Sequence, residues 1–109
     1  MSPEDRRKHP RVVVELPVRL SVDGKTVPGR LHDVCHDAAL VETHQRCVVG
    51  SSVVLAWESG GGGMVQVDGV VLRVSAGEGD ARGVAILFTD VAPSTATAIE
   101  LLVHRAGTA

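Results

Sequence analysis

The chain has 109 residues, a length that suits one domain and leaves no room for a second hydrophobic core. Its 11 Lys and Arg residues against 13 Asp and Glu residues give a net charge of -2, which argues against a general binder of duplex nucleic acid or of an acidic membrane. The apolar residues are mainly Val, Leu and Ala, with one Trp, one Phe and no Tyr, and this β-branched content favours strands.

Residues 1–11 are polar and basic and contain two prolines, so we predict a flexible, extended arm rather than a packed element. Four of the 11 basic residues of the chain fall in this arm, namely Arg6, Arg7, Lys8 and Arg11. A small anionic ligand could use such a local concentration of positive charge. The folded domain is predicted over residues 12–109.

The first strand is indicated by a period-2 alternation of apolar and polar residues, with the apolar set at Leu16, Val18, Leu20 and Val22. Pro17 within this stretch indicates an edge or a bulge, because proline has no amide hydrogen to donate. The dipeptide Asp23-Gly24 is a turn signal and predicts a hairpin into a second strand near residues 27–34.

Further strands are predicted at short spacing, over residues 39–43, 52–57, 64–74 and 83–88. Ser59 and the four glycines at 60–63 are predicted to form a flexible hairpin loop between two of them. Gly69 indicates a bulge or a sharp bend in the fifth strand. In that strand we predict one common face for Val70, Leu72 and Val74.

The last segment changes from a period of two to the spacing of a helix. Pro93 and Ser94 offer a helix start, and Gly107 offers a stop. Between them an apolar stripe is formed by Ile99, Leu102, Val103 and Ala106. We therefore predict a helix at about residues 94–106 that closes one end of an antiparallel barrel or sandwich.

The cysteine content and the start of the chain favour a cytoplasmic protein. Cys35 and Cys47 are too few for the disulfide framework of a secreted mini-protein, although a single disulfide stays open. No apolar run approaches the roughly 20 residues needed to span a bilayer, and charged residues rather than a signal-peptide core follow Met1. We expect reduced thiols and no membrane insertion.

The residue pattern indicates neither a catalytic centre nor a metal site. Cys35 and His36 are adjacent on a strand, where they would point to opposite faces, and no third orienting group is evident. The five histidines and two cysteines have no zinc spacing, and the glycines at 60–63 lack the Lys and Ser or Thr of a P-loop. We expect a non-enzymatic protein with no metal and no cofactor. Trp57 is expected in the core, although an exposed Trp57 could anchor a partner.

Two short motifs carry more specific information. Arg7 and Arg11 have the spacing R-x-x-x-R just before the first strand, and residues 33–38 read D-V-C-H-D-A, close to a D/N-x-S-x-x-G pattern. Together with the order of the later strands and the terminal helix, these motifs make the chain resemble the PilZ domain family. The resemblance implies a six-stranded antiparallel β-barrel with one C-terminal helix, which acts as a receptor for cyclic di-GMP.

The resemblance also implies a set of ligand-binding residues: Arg7, Arg11, Asp33, Cys35 and Ala38, with added charge from Lys8 and Arg6. Guanidinium groups can pair with the phosphates and stack on the guanines, and a carboxylate can accept hydrogen bonds from the guanine edge.

The second motif departs from the family pattern in two positions. Cys35 stands in place of the serine, and a thiol is a weaker hydrogen-bonding partner than a hydroxyl. Ala38 stands in place of the glycine and would cost about 1 kcal/mol if φ is positive there. Asp37 adds a negative charge beside an anion site.

Two functions remain open. The first is a cyclic di-GMP receptor that signals to an unidentified effector protein in motility or biofilm regulation and binds no DNA or RNA. The alternative is an interaction adaptor that has lost cyclic di-GMP binding and acts in motility or cell-polarity control. The altered second motif favours the adaptor, whereas Arg7, Arg11 and Asp33 favour the receptor. Without the motifs, the basic residues would be a solvated tail and Asp33 a turn former.

Overall fold

A computed structural model describes residues 12–59, 62–77 and 79–108 of the chain. Over these ranges it shows six strands and one helix, in the order β1 (Val12–Val22), β2 (Lys25–Val34), β3 (Ala38–Thr43), β4 (Ser52–Glu58), β5 (Met64–Ala76), β6 (Arg82–Thr89) and α1 (Pro93–Thr108). The strands are antiparallel and close into a barrel in the order β1-β2-β3-β6-β5-β4. The predicted fold class is confirmed.

The turn between β1 and β2 has the geometry that its sequence predicts. Asp23 and Gly24 have φ values of 52° and 76°, so both lie in the left-handed region. Two consecutive residues of this kind form the tight turn whose twist matches that of the strands it joins. Val22 consequently pairs with Lys25 directly across the turn.

Aliphatic side chains fill the interior of the barrel, and alternate residues of each strand point inward. Trp57 is 4% exposed and belongs to this core, as predicted. The strand residues whose side chains are most completely buried are Leu20, Val22, Leu31, Val34, Val41, Leu55, Val71, Val84 and Ile86. These residues come from every strand of the barrel.

Helix α1 extends the same core beyond the barrel. Ile99 is 1% exposed, and Leu102 and Val103 pack against the core with part of their surface. The side chain of Ala106 lies outside the described residues. Within the described ranges, no helical segment combines the length and the hydropathy required to cross a bilayer.

Strand β5 departs from the predicted alternation. The register with β6 shifts between Val71 and Arg73, which makes Leu72 the bulged residue. Leu72 is 50% exposed, whereas Val74, two residues on, packs against the core. The prediction that Val70, Leu72 and Val74 share one face is therefore wrong, because the bulge changes the phase of the strand.

The bulge predicted at Gly69 is also wrong, because Gly69 keeps a regular register with Phe88 of β6 and Val53 of β4. A Cβ atom at this position would collide with Cγ2 of Ile86 and lie 2.9 Å from the carbonyl oxygen of Leu87. Gly69 is thus needed for close packing inside the barrel and not for a bend.

Strand β1 closes the barrel through a short ladder. It pairs with β2 along most of its length but with β4 only from Arg19 to Val22. Pro17 lies outside the ladder to β4 and near a register shift between Val13 and Leu16, which agrees with the prediction of an edge or bulge position.

Candidate functional site

The second motif begins on β2, where a bulge turns Asp33 out of the barrel. Leu31 and Val34 are both fully buried although three positions separate them, a spacing that regular alternation cannot produce. The register with β3 shifts between Leu31 and Asp33, so His32 is the extra residue. Asp33 consequently pairs with the outward-facing Leu40 and is only partly buried. Bulges often re-aim a side chain in this way at functional sites.

Strand β1 brings the arm to this hairpin. Val13 pairs with Asp33, and Val12 pairs with Val34. Val13 is 66% exposed, which shows that this pair faces outward. Arg11 precedes Val12 in the chain, so the arm joins the barrel within two residues of the position opposite Asp33.

The basic residues predicted for the site lie in the arm itself, outside the described part of the chain: Arg6, Arg7, Lys8 and Arg11. Their placement relative to Asp33 therefore stays a prediction. What the structure describes is the attachment of the arm, through Val12 and Val13, to the strand that carries the second motif.

The rest of the second motif forms the connection between β2 and β3. Cys35 is 7% exposed, and its amide donates a hydrogen bond to the carbonyl oxygen of Ala38 at 2.9 Å. The carbonyl oxygen of Asp37 accepts a hydrogen bond from the amide of Phe88 at 2.8 Å. The connection is therefore held at both of its ends, once by its own backbone and once by β6.

Ala38 has an ordinary strand conformation. It begins β3 and pairs with Leu87 of β6. Among the described residues other than glycine, positive φ values occur at Glu15, Asp23 and Asp90. The backbone here does not need the left-handed conformation that would favour glycine, so the strain considered for Ala38 does not arise.

A polar cluster beside the motif was not predicted from the sequence. The imidazole Nδ1 of His32 lies 2.8 Å from Oε1 of Glu15, and a guanidinium nitrogen of Arg30 lies 3.5 Å from Oε2 of the same carboxylate. Glu15 has φ of 50° and sits within the register shift of β1. The sequence holds one signal of the bulge at His32, because the three-residue spacing of the apolar Leu31 and Val34 breaks the period of two expected for a strand.

A second feature is a groove of about 970 Å³ that is lined by α1 and by residues of β1, β2, β4 and β5. Trp57 and Val65 form part of its apolar base, and Leu101 and Met64 are exposed at 59% and 54% along its length. The charged residues that line the groove are Arg19, Glu58 and Arg105.

Over the ranges that the structure describes, no group of three or more His, Cys, Asp or Glu side chains is placed to hold a metal ion.

The described residues form a small antiparallel barrel with a terminal helix, and the second motif lies in its β2–β3 hairpin. The family model of the PilZ domain matches residues 5–105, and the chain belongs to this family. The match includes the arm as well as the barrel. No curated protein sequence matches the chain.

Solved structures share this fold at low sequence identity. The inhibitor of motility MotI/DgrA of Bacillus subtilis superimposes with a TM-score of 0.77 at 14% identity, over 99% of this chain and 57% of that one. The PilZ domain of YcgR from Escherichia coli, solved with c-di-GMP, has a TM-score of 0.70 at 19% identity, over 94% and 92% of the two chains. The PilZ domain of CeSA from a cellulose-synthesizing bacterium has a TM-score of 0.65 at 20% identity, over 87% and 95%. The chain thus spans little more than half of MotI but nearly all of the isolated PilZ domains.

Proposed function

We propose that this chain is a receptor for cyclic di-GMP, which it binds between the N-terminal arm and the β2–β3 hairpin without catalysing a reaction. The observation that carries the proposal is the outward turn of Asp33 opposite Val13. Bulges that re-aim a side chain are over-represented beside functional sites, and this bulge takes the Asp33 carboxylate out of the barrel core. Here it faces outward where a strongly basic segment joins the barrel.

In this proposal the arm recognises the phosphates. Arg7 and Arg11 supply planar guanidinium groups that pair with phosphate oxygens and can stack on the guanine faces, and Lys8 and Arg6 add positive charge. An arm of this composition would order on binding, and the ordered arm would present a new surface to an effector protein.

The hairpin would recognise the guanine. The Asp33 carboxylate accepts hydrogen bonds from the N1–H and N2–H groups, which adenine does not offer in this arrangement. Cys35 is 7% exposed, so we assign it a part in the shape of the site more than in hydrogen bonding. Ala38 is partly buried and would contact the ligand through its methyl group.

Known PilZ proteins support the choice of ligand. The PilZ domain of YcgR from Escherichia coli and the PlzA protein of Borreliella burgdorferi were both solved with c-di-GMP. Their identities to this chain are 19% and 13%, so they support the fold directly and the ligand only by family.

Isothermal titration with cyclic di-GMP tests the proposal. We expect a Kd of about 1 μM or tighter, corresponding to about -8 kcal/mol. Arg7→Ala and Arg11→Ala should each weaken binding at least tenfold, because charge-assisted bonds to phosphate contribute about 1.5–3 kcal/mol. Arg46→Ala, which removes an exposed arginine from the β3–β4 loop, is the matched control and should bind like the wild type.

The role of Asp33 needs its own pair of variants. Asp33→Asn should weaken binding of cyclic di-GMP, because an amide cannot accept both hydrogen bonds of the guanine edge. Asp68→Asn makes the same change on β5, three strands away in the barrel order, and should have no effect. Cyclic di-AMP should not compete. A folded wild-type protein that gives no heat at high ligand concentration would exclude the receptor function.

The groove beside α1 favours a second candidate, an interaction adaptor. We propose that it accepts an amphipathic helix of the effector protein, whose apolar side covers Leu101 and Met64. Two arginines against one glutamate line the groove, so we expect an acidic residue on that helix to face Arg19.

The receptor and the adaptor can be distinguished in the source bacterium by whether their activity requires the ligand site at Asp33 or only the groove. Leu101→Glu would place a charge in the groove, and Leu72→Glu changes another half-exposed leucine on β5 as its control. A receptor that signals through the groove loses its effect on motility or biofilm formation with either Asp33→Asn or Leu101→Glu. An adaptor loses its effect on motility or biofilm formation with Leu101→Glu but keeps it with Asp33→Asn. If Leu101→Glu and Leu72→Glu both behave like the wild type, the groove has no role.

A further inference from the structure

We infer that Glu15 and His32 are positioning residues for the ligand site, because their contact holds the paired bulges that keep Asp33 facing outward and β1 in register beside it. The inference rests on the proposed function for its ligand. Neither residue belongs to the two motifs, and neither needs to touch the ligand to act.

The bulges lie side by side on two neighbouring strands. Between β1 and β2, the register shift gives β1 one extra residue between the pairs Val13–Asp33 and Leu16–Leu31. Between β2 and β3, His32 is the extra residue. The two irregularities therefore meet at the positions of Glu15 and His32, directly beside Asp33.

The backbone at Glu15 is not one that glutamate adopts freely. Its φ of 50° lies in the left-handed region. For a residue that has a Cβ atom this region is disfavoured by roughly five- to thirtyfold. Some interaction of the folded protein must offset the unfavourable backbone conformation of Glu15. Backbone strain of this kind is often found at functional sites.

The side-chain contacts of Glu15 provide that interaction. Oε1 lies 2.8 Å from Nδ1 of His32, and Oε2 lies 3.5 Å from the guanidinium of Arg30. Glu15 and His32 are 44% and 48% exposed, so each contact alone is weakened by solvent. One carboxylate nevertheless joins the irregular stretch of β1 to the extra residue of β2.

Loss of the contact has a direct effect on Asp33. Without the bulge at His32, regular alternation after the buried Leu31 would turn Asp33 inward, where Val34 and Leu31 now pack. A buried carboxylate is strongly disfavoured, so the hairpin would instead fray and the paired residues Val12 and Val13 would lose their partners. The arm would then start from an unanchored strand.

The test separates the backbone of position 15 from its carboxylate. Glu15→Val disfavours a positive φ, whereas Glu15→Gly favours it, and both remove the carboxylate. We expect Glu15→Val to weaken cyclic di-GMP binding about tenfold and Glu15→Gly to stay within about threefold of the wild type. Glu58→Val makes the same replacement on β4 in an exposed position and should not change the affinity.

His32 is tested with a second pair. His32→Ala removes the donor and should weaken binding about three- to fivefold, as expected for an exposed charge-assisted contact. His32→Asn keeps an N–H group close to the position of Nδ1 and should bind like the wild type. This rescue is not expected if His32 only fills space.

Hydrogen exchange in the absence of ligand tests the positioning role of Glu15 without relying on a binding measurement. In Glu15→Val the amides of Asp33 and Val34 should exchange about tenfold faster than in the wild type, while Leu55 in β4 stays unchanged. If the wild type does not bind cyclic di-GMP, the proposed function fails and this measurement still tests the bulge. Equal exchange and equal affinity in Glu15→Val and Glu15→Gly would overturn the inference.

Discussion

The amide of Phe88 on β6 donates a hydrogen bond at 2.8 Å to the carbonyl oxygen of Asp37, in the connection between β2 and β3. Phe88 is 8% exposed and belongs to the barrel core. The motif connection is thus tied to a strand whose position the core determines. A change in core packing can therefore reach the proposed ligand site without altering any residue of its two motifs.

Gly69→Ala should destabilise the protein. The added Cβ would collide with Ile86 and lie 2.9 Å from the carbonyl oxygen of Leu87, so backbone as well as side chain must move. We expect a loss of about 1–3 kcal/mol in the free energy of unfolding, measured by urea titration. Among the described residues, a Cβ atom at Gly63 would meet Ser59 Oγ at 3.7 Å, an ordinary contact, so Gly63→Ala serves as the control. Equal stability of the two variants would contradict the close-packing role.

Ala38→Gly restores the glycine of the family pattern, yet it should not improve binding through the backbone. Ala38 has no positive φ to relieve, and it lies at the start of a strand. Glycine in a strand costs about 0.5–1 kcal/mol relative to alanine, so thermal unfolding should shift down. A more stable Ala38→Gly variant would show that the connection is strained after all. Tighter cyclic di-GMP binding with no gain in stability would assign the methyl group a steric role at the site.

Thr43→Val should lower the free energy of unfolding, although valine has nearly the same shape as threonine. Thr43 is 3% exposed, and its hydroxyl donates to the carbonyl oxygen of Pro28 at 3.0 Å and accepts from the amide of Gln45 at 3.2 Å. Removing it breaks two part-buried hydrogen bonds, which contribute about 0.5–1.5 kcal/mol each. Thr43→Ser keeps the hydroxyl and should lose only the methyl group, about 0.8 kcal/mol. Chemical denaturation compares the two, and the reverse order would disprove the role of the hydroxyl.

The Cys47 thiol should resist alkylation in the folded protein. Burial raises its pKa above the ordinary value of 9.0, and the nearby charge of Asp23 raises the pKa further. The thiolate is the reactive form, so iodoacetamide at pH 8 should modify Cys47 more slowly before unfolding than after it. Mass spectrometry of the labelled peptide measures the rates.

The raised pKa of Cys47 also makes the stability of the protein depend on pH. Because the folded-state pKa of Cys47 lies above the unfolded-state value, this contribution to stability is complete below about pH 9 and is lost as the pH rises through the folded-state pKa. Asp23→Asn keeps a residue that tolerates positive φ and should speed the alkylation. An unchanged rate in this variant would remove Asp23 as a cause.

Local chemistry made much of the barrel predictable. The turn at Asp23 and Gly24 follows from residues that accept positive φ, and the inward set of β1 follows from plain alternation. Gly69 misled the prediction, because a glycine in a strand can mark either a bulge or a close approach, and only the neighbouring Ile86 decides between them.

The residues of the candidate site could be predicted from a sequence motif, but their arrangement in space could not. The acid motif drew attention to Asp33, and the three-residue spacing of Leu31 and Val34 held the information that it faces outward. The left-handed conformation of Glu15 could not be predicted, since its partner His32 is 17 positions away and glutamate is not a residue that selects positive φ. Interactions between distant positions decide such features.

The four-residue ladder between β1 and β4 also bears on how the barrel assembles. Every other strand contact joins neighbours along the chain or runs through longer ladders, whereas this one unites Arg19–Val22 with a segment more than 30 positions later. Loop closure over such a distance costs entropy before the few hydrogen bonds form. With only four residue pairs to offset that cost, we expect this ladder to open more readily than the six-pair ladder between β3 and β6. The strand that pairs there also carries Val13 opposite Asp33, so opening of the barrel at this ladder would reach the proposed ligand site through β1.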